Sequence, residues 1–557
     1  MSATYQKATP RHNITLLLGH EANSSTSYFA TGQISNLLND DPANRYIDDG
    51  LGAPGTKNVS STGTFDRLLS FFGKADYNYS GKYYVSVTVR RDGSSKFAKG
   101  NQWGTFPAFN VGWRASRESF FPQGGFISNA MLRFGWGMTG NQQIPGGRIV
   151  ARFGGGRGDT FYDISGSGSS IQAGFRQIAL GNINMAWETN TSTNVGLDLE
   201  FAQGRGNLTL DVYSRITGST DGHGLLFDPR LPSTAGVASP AIQNVGKMSN
   251  KGFDFAVAYS GSMGSGRVWS IAFNGAHYKN KILAISEDLS QFDGGSTSRL
   301  GTAVSNRLGA PIGAFYGLQA DGYFPDSATA LAHYDTLGTC PTAPCQIGAK
   351  VGRIRFVDID GDGFITSADR TIIGSPHPDF TAGLDFGLRV GAWDFSASIF
   401  GSFGADIFDA QKNFYVFRDF STNVLKDRLT DSFCLPGDEG CTNPYNQDAK
   451  YPRLDQNDGE SRKISSYYIE SGTYVRLRNL QIGFTVPANM IRWFPVARIY
   501  LQAENLFTIT GYPGLDPALP PPVFTNASGD IRDQFRGVDQ GAYPTSKTIT
   551  IGISTQF

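Results

Sequence analysis

The sequence predicts an all-β protein whose antiparallel strands form a barrel across a membrane, with about 14 to 16 strands in this chain. Three observations predict this fold. Apolar and polar residues alternate in many segments, short turns alternate with long polar connections, and no apolar run approaches the roughly 18 residues of a membrane helix. The last segment, 547–557, shows the alternation most clearly, because one face carries Ile549, Ile551, Ile553 and Phe557.

Alternation of this kind is typical of a strand with lipid or core on one side and water on the other. It recurs in six further segments, which are 83–90, 132–139, 195–201, 253–259, 384–390 and 393–399. In the segment that follows Tyr474 the alternation changes phase, since Val475 and Leu477 are followed by Leu480 and Ile482. A β-bulge around Arg478 and Asn479 would account for the change.

The connections between these segments differ strongly in length. Tight turns are predicted at 80–82, 203–206, 261–265 and 391–392, and long polar stretches at 92–104, 140–191, 218–250, 281–378, 405–470 and 510–545. Short turns at one end and long loops at the other are typical of outer-membrane barrels. Counting strands back from a last strand that descends to the periplasm places 281–378 outside the cell, with 311–324 as a strand within that loop. A further hairpin within 140–191 is an open alternative and would raise the number of strands to about 16.

Composition narrows the function classes. Lys and Arg total 48 and so do Asp and Glu, so the chain lacks the basic surplus of a nucleic-acid-binding protein.

The four cysteines form two close pairs, Cys340/Cys345 and Cys434/Cys441, in stretches rich in Pro, Gly and Thr. This spacing favours two disulfides in an oxidising compartment. Zinc is the alternative, but neither pair has CxxC spacing and only six His are scattered through the chain.

One stretch, DIDGDGFITSAD at 358–369, has the spacing of a calcium-binding loop. Three aspartates occupy loop positions 1, 3 and 5, and Gly363 occupies the turn position. The predicted ligands are Asp358, Asp360, Asp362, the Phe364 carbonyl, Thr366 and Asp369. Asp369 stands where such loops usually carry a bidentate Glu, so we expect a weak, structural calcium ion, with a Kd of roughly 10⁻⁴–10⁻³ M. The alternative is a turn rich in Asp and Gly that holds no ion.

The aromatic residues leave two interpretations open, and the polar residues suggest no catalysis. Trp136, Trp187, Trp393 and Trp493 fit aromatic girdles at the membrane interfaces better than they fit sugar-stacking sites. Girdle and ligand contact are equally compatible with Tyr467, Tyr468 and Tyr512, which lie at junctions between loop and strand. The run Asp92-Gly93-Ser94-Ser95 has no His placed to activate a serine, so we predict no enzyme.

Several ordered motifs resemble the barrel half of the SusC/RagA family of TonB-dependent outer-membrane transporters, from about residue 11 to Phe557. They include GKYYVSVTVRRDGSSKF, LRFGWGMTGNQ, NVGKMSNKGFDFAV, DIDGDGFITSADRTIIGSPHPDF and YIESGTYVRLRNLQIGFTVP. The resemblance implies a plugged barrel of roughly 22 strands in a Gram-negative outer membrane. It also implies a SusD-like surface lipoprotein as partner and import of oligosaccharides or peptides driven by TonB.

Relative to that family, this sequence shows no signal peptide, TonB box or plug domain, and about six first strands are missing. We therefore expect 1–557 to be the C-terminal part of a barrel, either a fragment of a longer product or completed by another chain. Alone it would leave unpaired strand edges in lipid and should not transport. Two other functions stay open, a surface-binding or adhesion protein anchored by the barrel, and a passive porin. The sequence does not identify the substrate.

Overall fold

The computed structural model describes most of the chain. The described residues are 1–37, 39, 41–42, 45–46, 57–144, 146–155, 160–166, 170–218, 224, 226–227, 241–264, 266–286, 290–297, 299–335, 338–417, 423–487, 496–520, 525–526, 529–530 and 535–556. Phe557 and Trp493, which figure in the sequence predictions, lie outside this set. Among the described residues, no helix combines the length and apolar content that a membrane crossing requires.

Fifteen strands form one antiparallel sheet in which each strand pairs with the next one along the chain. They are β1 (Ser2–Ala8), β2 (His12–Ile34), β3 (Lys57–Tyr79), β4 (Tyr83–Ser94), β5 (Trp103–Arg114), β6 (Ile127–Asn141), β7 (Glu188–Phe201), β8 (Gly206–Thr217), β9 (Lys247–Ser262), β10 (Arg267–Ala284), β11 (Phe380–Val390), β12 (Trp393–Phe403), β13 (Tyr474–Val486), β14 (Val496–Thr510) and β15 (Thr548–Gln556). This sheet confirms the predicted fold class. The further hairpin considered for 140–191 contributes no strand to the sheet within the described residues.

The apolar faces of the strands point away from any protein core. Apolar side chains on four different strands are exposed, with 44% for Val87, 50% for Val195, 39% for Ile271 and 77% for Ile551. Exposed apolar side chains in alternate positions are what lipid-facing strands require. The result rules out a sandwich, in which these residues would pack between two sheets.

Polar side chains on the opposite faces join neighbouring strands. Arg498 on β14 donates from Nε to Asp394 Oδ1 on β12 at 2.9 Å and from Nη2 to Gln481 Oε1 on β13 at 2.8 Å. Ion pairs and hydrogen bonds of this kind satisfy charged groups on the polar side of the sheet. Each strand therefore separates an apolar face from a hydrogen-bonded polar face.

The predicted β-bulge is confirmed. Ile399 on β12 pairs with Leu477 and Ser398 pairs with Asn479, so Arg478 is the extra residue on β13. The same irregularity appears between β13 and β14, where the register shifts between Leu477 and Asn479. One extra residue inverts the order of inward and outward side chains, which explains the phase change in the sequence.

The long connections carry short elements of their own. Helices are α1 (Ser327–Ala332), α2 (Lys412–Tyr415) and 3₁₀ turns at Ala115–Arg117, Lys426–Leu429 and Ser466–Tyr468. Small sheets pair Arg152–Gly154 with Arg176–Ala179, Tyr162–Asp163 with Ile171–Gln172, Leu226–Phe227 with Gln243–Asn244, Ala320–Tyr323 with Ile354–Phe356, and Thr525–Asn526 with Gly529–Asp530. A four-stranded sheet contains Gln291–Thr297, Gly301–Arg307, Phe315–Gly317 and Thr371–Gly374, and a three-stranded sheet contains Asp406–Asp409, Ile469–Ser471 and Val538–Asp539. The stretch 311–324 thus forms short strands outside the large sheet.

The chain divides into two compact units. The first comprises Met1–Val111, Gly135–Thr191 and Thr217–Val245, and the second comprises Gly112–Phe134, Ser192–Ile216 and Gly246–Phe557. A hydrophobic cluster in the first unit contains Phe97, Phe106, Ile144, Met185, Trp187 and Ile242. Two larger clusters in the second unit lie in the connections after β10, β12 and β14. Those connections are folded structures with buried cores.

Candidate functional site

The predicted calcium loop brings three of its carboxylates together. Oxygen atoms of Asp358, Asp360 and Asp362 all lie within 4.8 Å of one another. Backbone N–H groups hold them there, since Asp358 accepts from Gly361 at 2.7 Å and from Gly363 at 2.9 Å. Gly363 has a φ of 85°, a left-handed conformation that favours glycine. The local sequence therefore shapes a tight turn with three acidic groups aimed at one point.

The other predicted ligands are arranged differently. Asp369 is buried, and its two carboxylate oxygens accept the N–H groups of Ile359 and Thr366, each at 2.7 Å. It lies outside the group of three convergent carboxylates. Thr366 Oγ1 accepts the Ala368 N–H at 3.0 Å, and Phe364 donates its N–H to Asp362 at 2.8 Å. Asp369 thus closes the loop by bonding to its backbone.

Electrostatics within the loop favour a cation. The N–H of Asp362 stabilises the Asp360 carboxylate, but partial desolvation and repulsion from Asp362, Asp369 and Asp358 outweigh it and raise the pKa of Asp360. Like charges this close resist ordering, and a bound divalent ion reverses the sign of the interaction. Carboxylate and carbonyl oxygens are also the ligands that calcium prefers. The three convergent carboxylates therefore fit part of a calcium ion's ligand set.

Both predicted cysteine pairs are disulfides in the structure, Cys340–Cys345 and Cys434–Cys441. The first adjoins the acidic loop, because Cys345 donates its N–H to Gly363 O and accepts the Ile365 N–H, each at 2.8 Å. Ile365 in turn is buried in a hydrophobic cluster with Ile354 and Phe356. The disulfide and the cluster together fix the end of the acidic loop.

A second candidate site is a pocket of about 440 Å³ in the second unit, which sequence reasoning missed. It lies among the connections after β12 and β14, and its walls include Tyr415, Tyr451 and Tyr467. Two buried carboxylates, Asp409 and Asp539, also line it. They are neighbours because the strands Asp406–Asp409 and Val538–Asp539 pair in parallel. Residues 130 positions apart are thus brought together by a pairing that leaves no local sequence signal.

Hydroxyl and amide groups hold these carboxylates in place. Asp539 accepts from Tyr512 Oη at 2.6 Å and from the Gly541 N–H at 2.8 Å. Asp409 accepts from Tyr415 Oη and from the Gln411 N–H at 3.0 Å. Burial, followed by the charge of Asp409, raises the pKa of both Tyr415 and Tyr512, so both phenols remain protonated donors.

Burial also acts on Asp409 itself. Desolvation raises the pKa of Asp409, the Tyr415 hydrogen bond and the Lys412 charge oppose the rise, and Asp539 adds to it. Lys412 has its own partners, since Nζ lies 2.5 Å from Glu470 Oε1 and donates to the Tyr467 carbonyl at 2.6 Å. The carboxylate pair is therefore only partly balanced by the pocket's own cations.

The structure settles most of the open aromatic positions. Tyr467 lines the pocket, Tyr468 is fully buried in the adjoining cluster and Tyr512 is buried against Asp539. Trp187 was expected in a girdle, and this prediction was wrong. It is only 4% exposed and donates from Nε1 to the Gln102 carbonyl at 2.9 Å, because it packs between Phe97 and Phe106.

An antiparallel sheet in which successive strands pair, with outward apolar faces and long folded connections, defines a transmembrane β-barrel protein of the outer-membrane class. Comparison with known proteins agrees, since residues 2–506 match the family model described as TonB dependent receptor-like, beta-barrel. The chain belongs to this family. Its members are receptors and transporters of the outer membrane rather than enzymes, and we place this chain in the outer membrane.

Several individual proteins are similar to this chain. TonB-dependent receptor P3 of Formosa agariphila is 29% identical over 563 residues, which cover 100% of this chain and 51% of that protein. TonB-dependent receptor SusC of Bacteroides thetaiotaomicron is 27% identical over 510 residues, covering 89% of this chain and 44% of that protein. The RagAB peptide transporter structure has a TM-score of 0.78 at 21% identity, covering 100% of this chain and 55% of its own. The chain spans about half the length of the curated relatives it matches.

Proposed function

We propose that this chain is the barrel portion of a transporter that imports oligosaccharides or peptides across the outer membrane, energised through TonB. The proposed partner is a SusD-like surface lipoprotein, which would cover the long connections. The observation that carries the proposal is the coexistence of a lipid-facing meander with folded connections that hold their own hydrophobic clusters and a polar pocket. We place those connections, including 281–378, outside the cell.

Two alternative functions predict different behaviour. A passive porin would admit solutes without an energy source, and an adhesion protein would bind ligand at the surface without importing it. The test is uptake of labelled oligosaccharides and peptides by cells that produce the complete gene product, with and without TonB. The proposal predicts that uptake stops when TonB is deleted. Uptake that persists would support a porin, and surface binding with no uptake in either strain would support an anchor.

We also propose a structural calcium ion at the acidic loop, with Asp358, Asp360 and Asp362 as its carboxylate ligands. The support is the convergence of the three carboxylates and their mutual repulsion. Calorimetric titration of the purified chain should show calcium binding at millimolar concentration, and Asp360→Asn should weaken it about tenfold or more. Asp448→Asn, an exposed aspartate outside the loop, is the matched control. Equal binding by wild type and Asp360→Asn would show that the loop is only a turn.

A further inference from the structure

The pocket beside α2 carries an excess of negative charge. Its lining contains four carboxylates, those of Asp409, Asp427, Glu470 and Asp539, and two ammonium groups, those of Lys412 and Lys450. The formal charge of the lining is therefore −2. Lys412 is paired with Glu470, so the excess is concentrated on the buried pair Asp409 and Asp539 and on Asp427 at the rim. Buried charge of one sign is costly unless a cation balances it.

The walls add a second preference. Three tyrosines, Tyr415, Tyr451 and Tyr467, line the same space, and the faces of tyrosine rings attract cations. The pocket already shows this interaction within the protein, because Lys412 Nζ lies 4.8 Å from the centre of the Tyr467 ring. Carboxylates together with tyrosine faces form a site suited to an ammonium group.

Part of the rim of the pocket is apolar. Leu425 is 37% exposed, Leu515 is 76% exposed, and Pro513 lies beside Leu515 in the lining. Exposed leucine side chains at the mouth of a pocket gain free energy when an apolar part of a ligand covers them. A neutral sugar ring offers hydroxyl groups but no cation, and an amino sugar offers a cation but little apolar surface. A peptide offers both at its amino terminus or at a lysine.

We propose that this pocket binds a primary ammonium group of a peptide, with Asp409 and Asp539 as counter-charges, the tyrosine faces around the ammonium and the leucine rim against neighbouring side chains. This inference rests on the proposed function, because it assigns the chemistry of the imported ligand. If the ligand is a cation, Asp427 at the mouth of the pocket should attract it and Lys450 should repel it.

The test measures binding of three probes to the purified full chain in detergent by calorimetry. The first is a tripeptide of leucine, lysine and leucine with an amidated carboxyl end, the second is the same peptide with both amino groups acetylated, and the third is the disaccharide of glucosamine. The expected result is that the first binds about tenfold or more tightly than either of the others. The acetylated peptide lacks the ammonium charge, and a unit charge at short range in a partly buried site is worth at least that factor. The glucosamine disaccharide keeps its ammonium groups but has no apolar side chains to cover Leu425 and Leu515.

Variants then assign the binding to this pocket. Asp409→Asn and Asp539→Asn each keep one oxygen that can accept from Tyr415 or Tyr512. Each replaces the other oxygen by an amide group and removes a charge, so each should weaken binding of the first peptide about tenfold. At the exposed rim, where folding is not at stake, Asp427→Asn should weaken binding about two- to threefold and Lys450→Gln should strengthen it by a similar factor. Glu439→Gln removes an exposed carboxylate outside the pocket and should change nothing.

Three outcomes would overturn the inference. They are equal binding of the free and acetylated peptides, preferential binding of the glucosamine disaccharide, and rim variants that both leave peptide affinity unchanged. None of these outcomes bears on the proposed function, since TonB-dependent uptake is measured separately in cells. Conversely, uptake independent of TonB together with ammonium-selective binding would keep the pocket assignment and remove the transporter proposal.

Discussion

Asp438 and Arg453 form a two-point ion pair in the connection between β12 and β13, with N–O distances of 2.9 and 2.8 Å. The hydrogen bonds from Arg453 lower the pKa of Asp438 below its usual 3.8, against the effect of burial. A carboxyl group with a lowered pKa stabilises the folded state above its unfolded pKa and loses that contribution as pH falls through the folded value. The pair should therefore stabilise the protein at neutral pH and lose its effect below about pH 4.

Asp438→Asn should lower the free energy of unfolding by about 1 kcal/mol at pH 7, because both partners are about one-third exposed. Denaturant unfolding of both proteins from about pH 2.5 to pH 7 measures the difference. It should stay constant above about pH 5 and shrink as pH falls further. Glu439→Gln, in the neighbouring exposed position, is the control. If the difference in free energy of unfolding between the two proteins is as large at about pH 2.5 as at pH 7, the Asp438–Arg453 ion pair is not its cause.

At the scale of single residues, the sequence predicted those features that depend on the spacing of residues close together in the chain. The three convergent aspartates follow from one loop motif, and both cysteine pairs are separated by fewer than eight positions. The pocket could not be predicted, because Asp409 and Asp539 meet only through a parallel pairing of two short strands. Without that pairing, neither residue has any feature that distinguishes it from an ordinary loop aspartate.

The segment 340–365 illustrates how an element depends on a disulfide. Cys345 pairs with the chain at Gly363 and Ile365, so the Cys340–Cys345 bond supports the acidic loop. Replacing both cysteines with serine should destabilise this segment by about 2 kcal/mol, the loop-closure value for a short ring. Hydrogen exchange of the amides of 345 and 365 should accelerate accordingly.

The matched control is the double serine variant of Cys434 and Cys441, which should leave exchange at 345 and 365 unchanged. Mass spectrometry of non-reduced peptides should first show the Cys340–Cys345 and Cys434–Cys441 links. Free thiols, crossed pairing or unchanged exchange in the first variant would each count against the proposed support of the loop.

Strand β15 separates two environments on its two faces. Ile551 is 77% exposed on the apolar face, and its neighbour Thr550 points to the other side of the sheet. Ile551→Lys should destabilise the chain in lipid by about 2 to 4 kcal/mol, because a charge would enter hydrocarbon. Thr550→Lys is the matched control on the polar face and should cost less than about 1 kcal/mol. Unfolding by urea in vesicles compares them, and equal costs would mean that the two faces are not differently solvated.

Elements were predicted well where alternation is long and poorly where it is short. The change of phase in the alternation after Leu477 located the bulge at Arg478, because one extra residue moves every later side chain from one face of the sheet to the other. Strands of two to four residues in the connections, such as Asp406–Asp409, are too short to show a period. The hydrophobic clusters that stabilise those connections contain residues far apart in the chain, so the sequence of no single segment predicts them.

At the scale of the whole molecule, the order of the fifteen strands follows the order of the sequence. A meander of this kind was predictable because each strand needs only the next one as its partner, and because short and long connections alternate. The conformation of the long connections was not predictable, since their contacts join segments that follow different strands. The lipid-facing surface could therefore be predicted from the sequence, whereas the arrangement of the long connections required the structure.

The most direct test of the membrane fold is a comparison of alternate positions on several strands. Single cysteines at Val87, Val195, Ile271 and Ile551 would carry a fluorophore, and Thr88, Asn194, Ala272 and Thr550 would provide the matched positions on the opposite faces. In vesicles made with brominated lipids, we expect strong quenching at the first four positions and weak quenching at the second four. Equal quenching of both sets, or quenching that favours the second set, would contradict a barrel that crosses the membrane with these apolar faces in lipid.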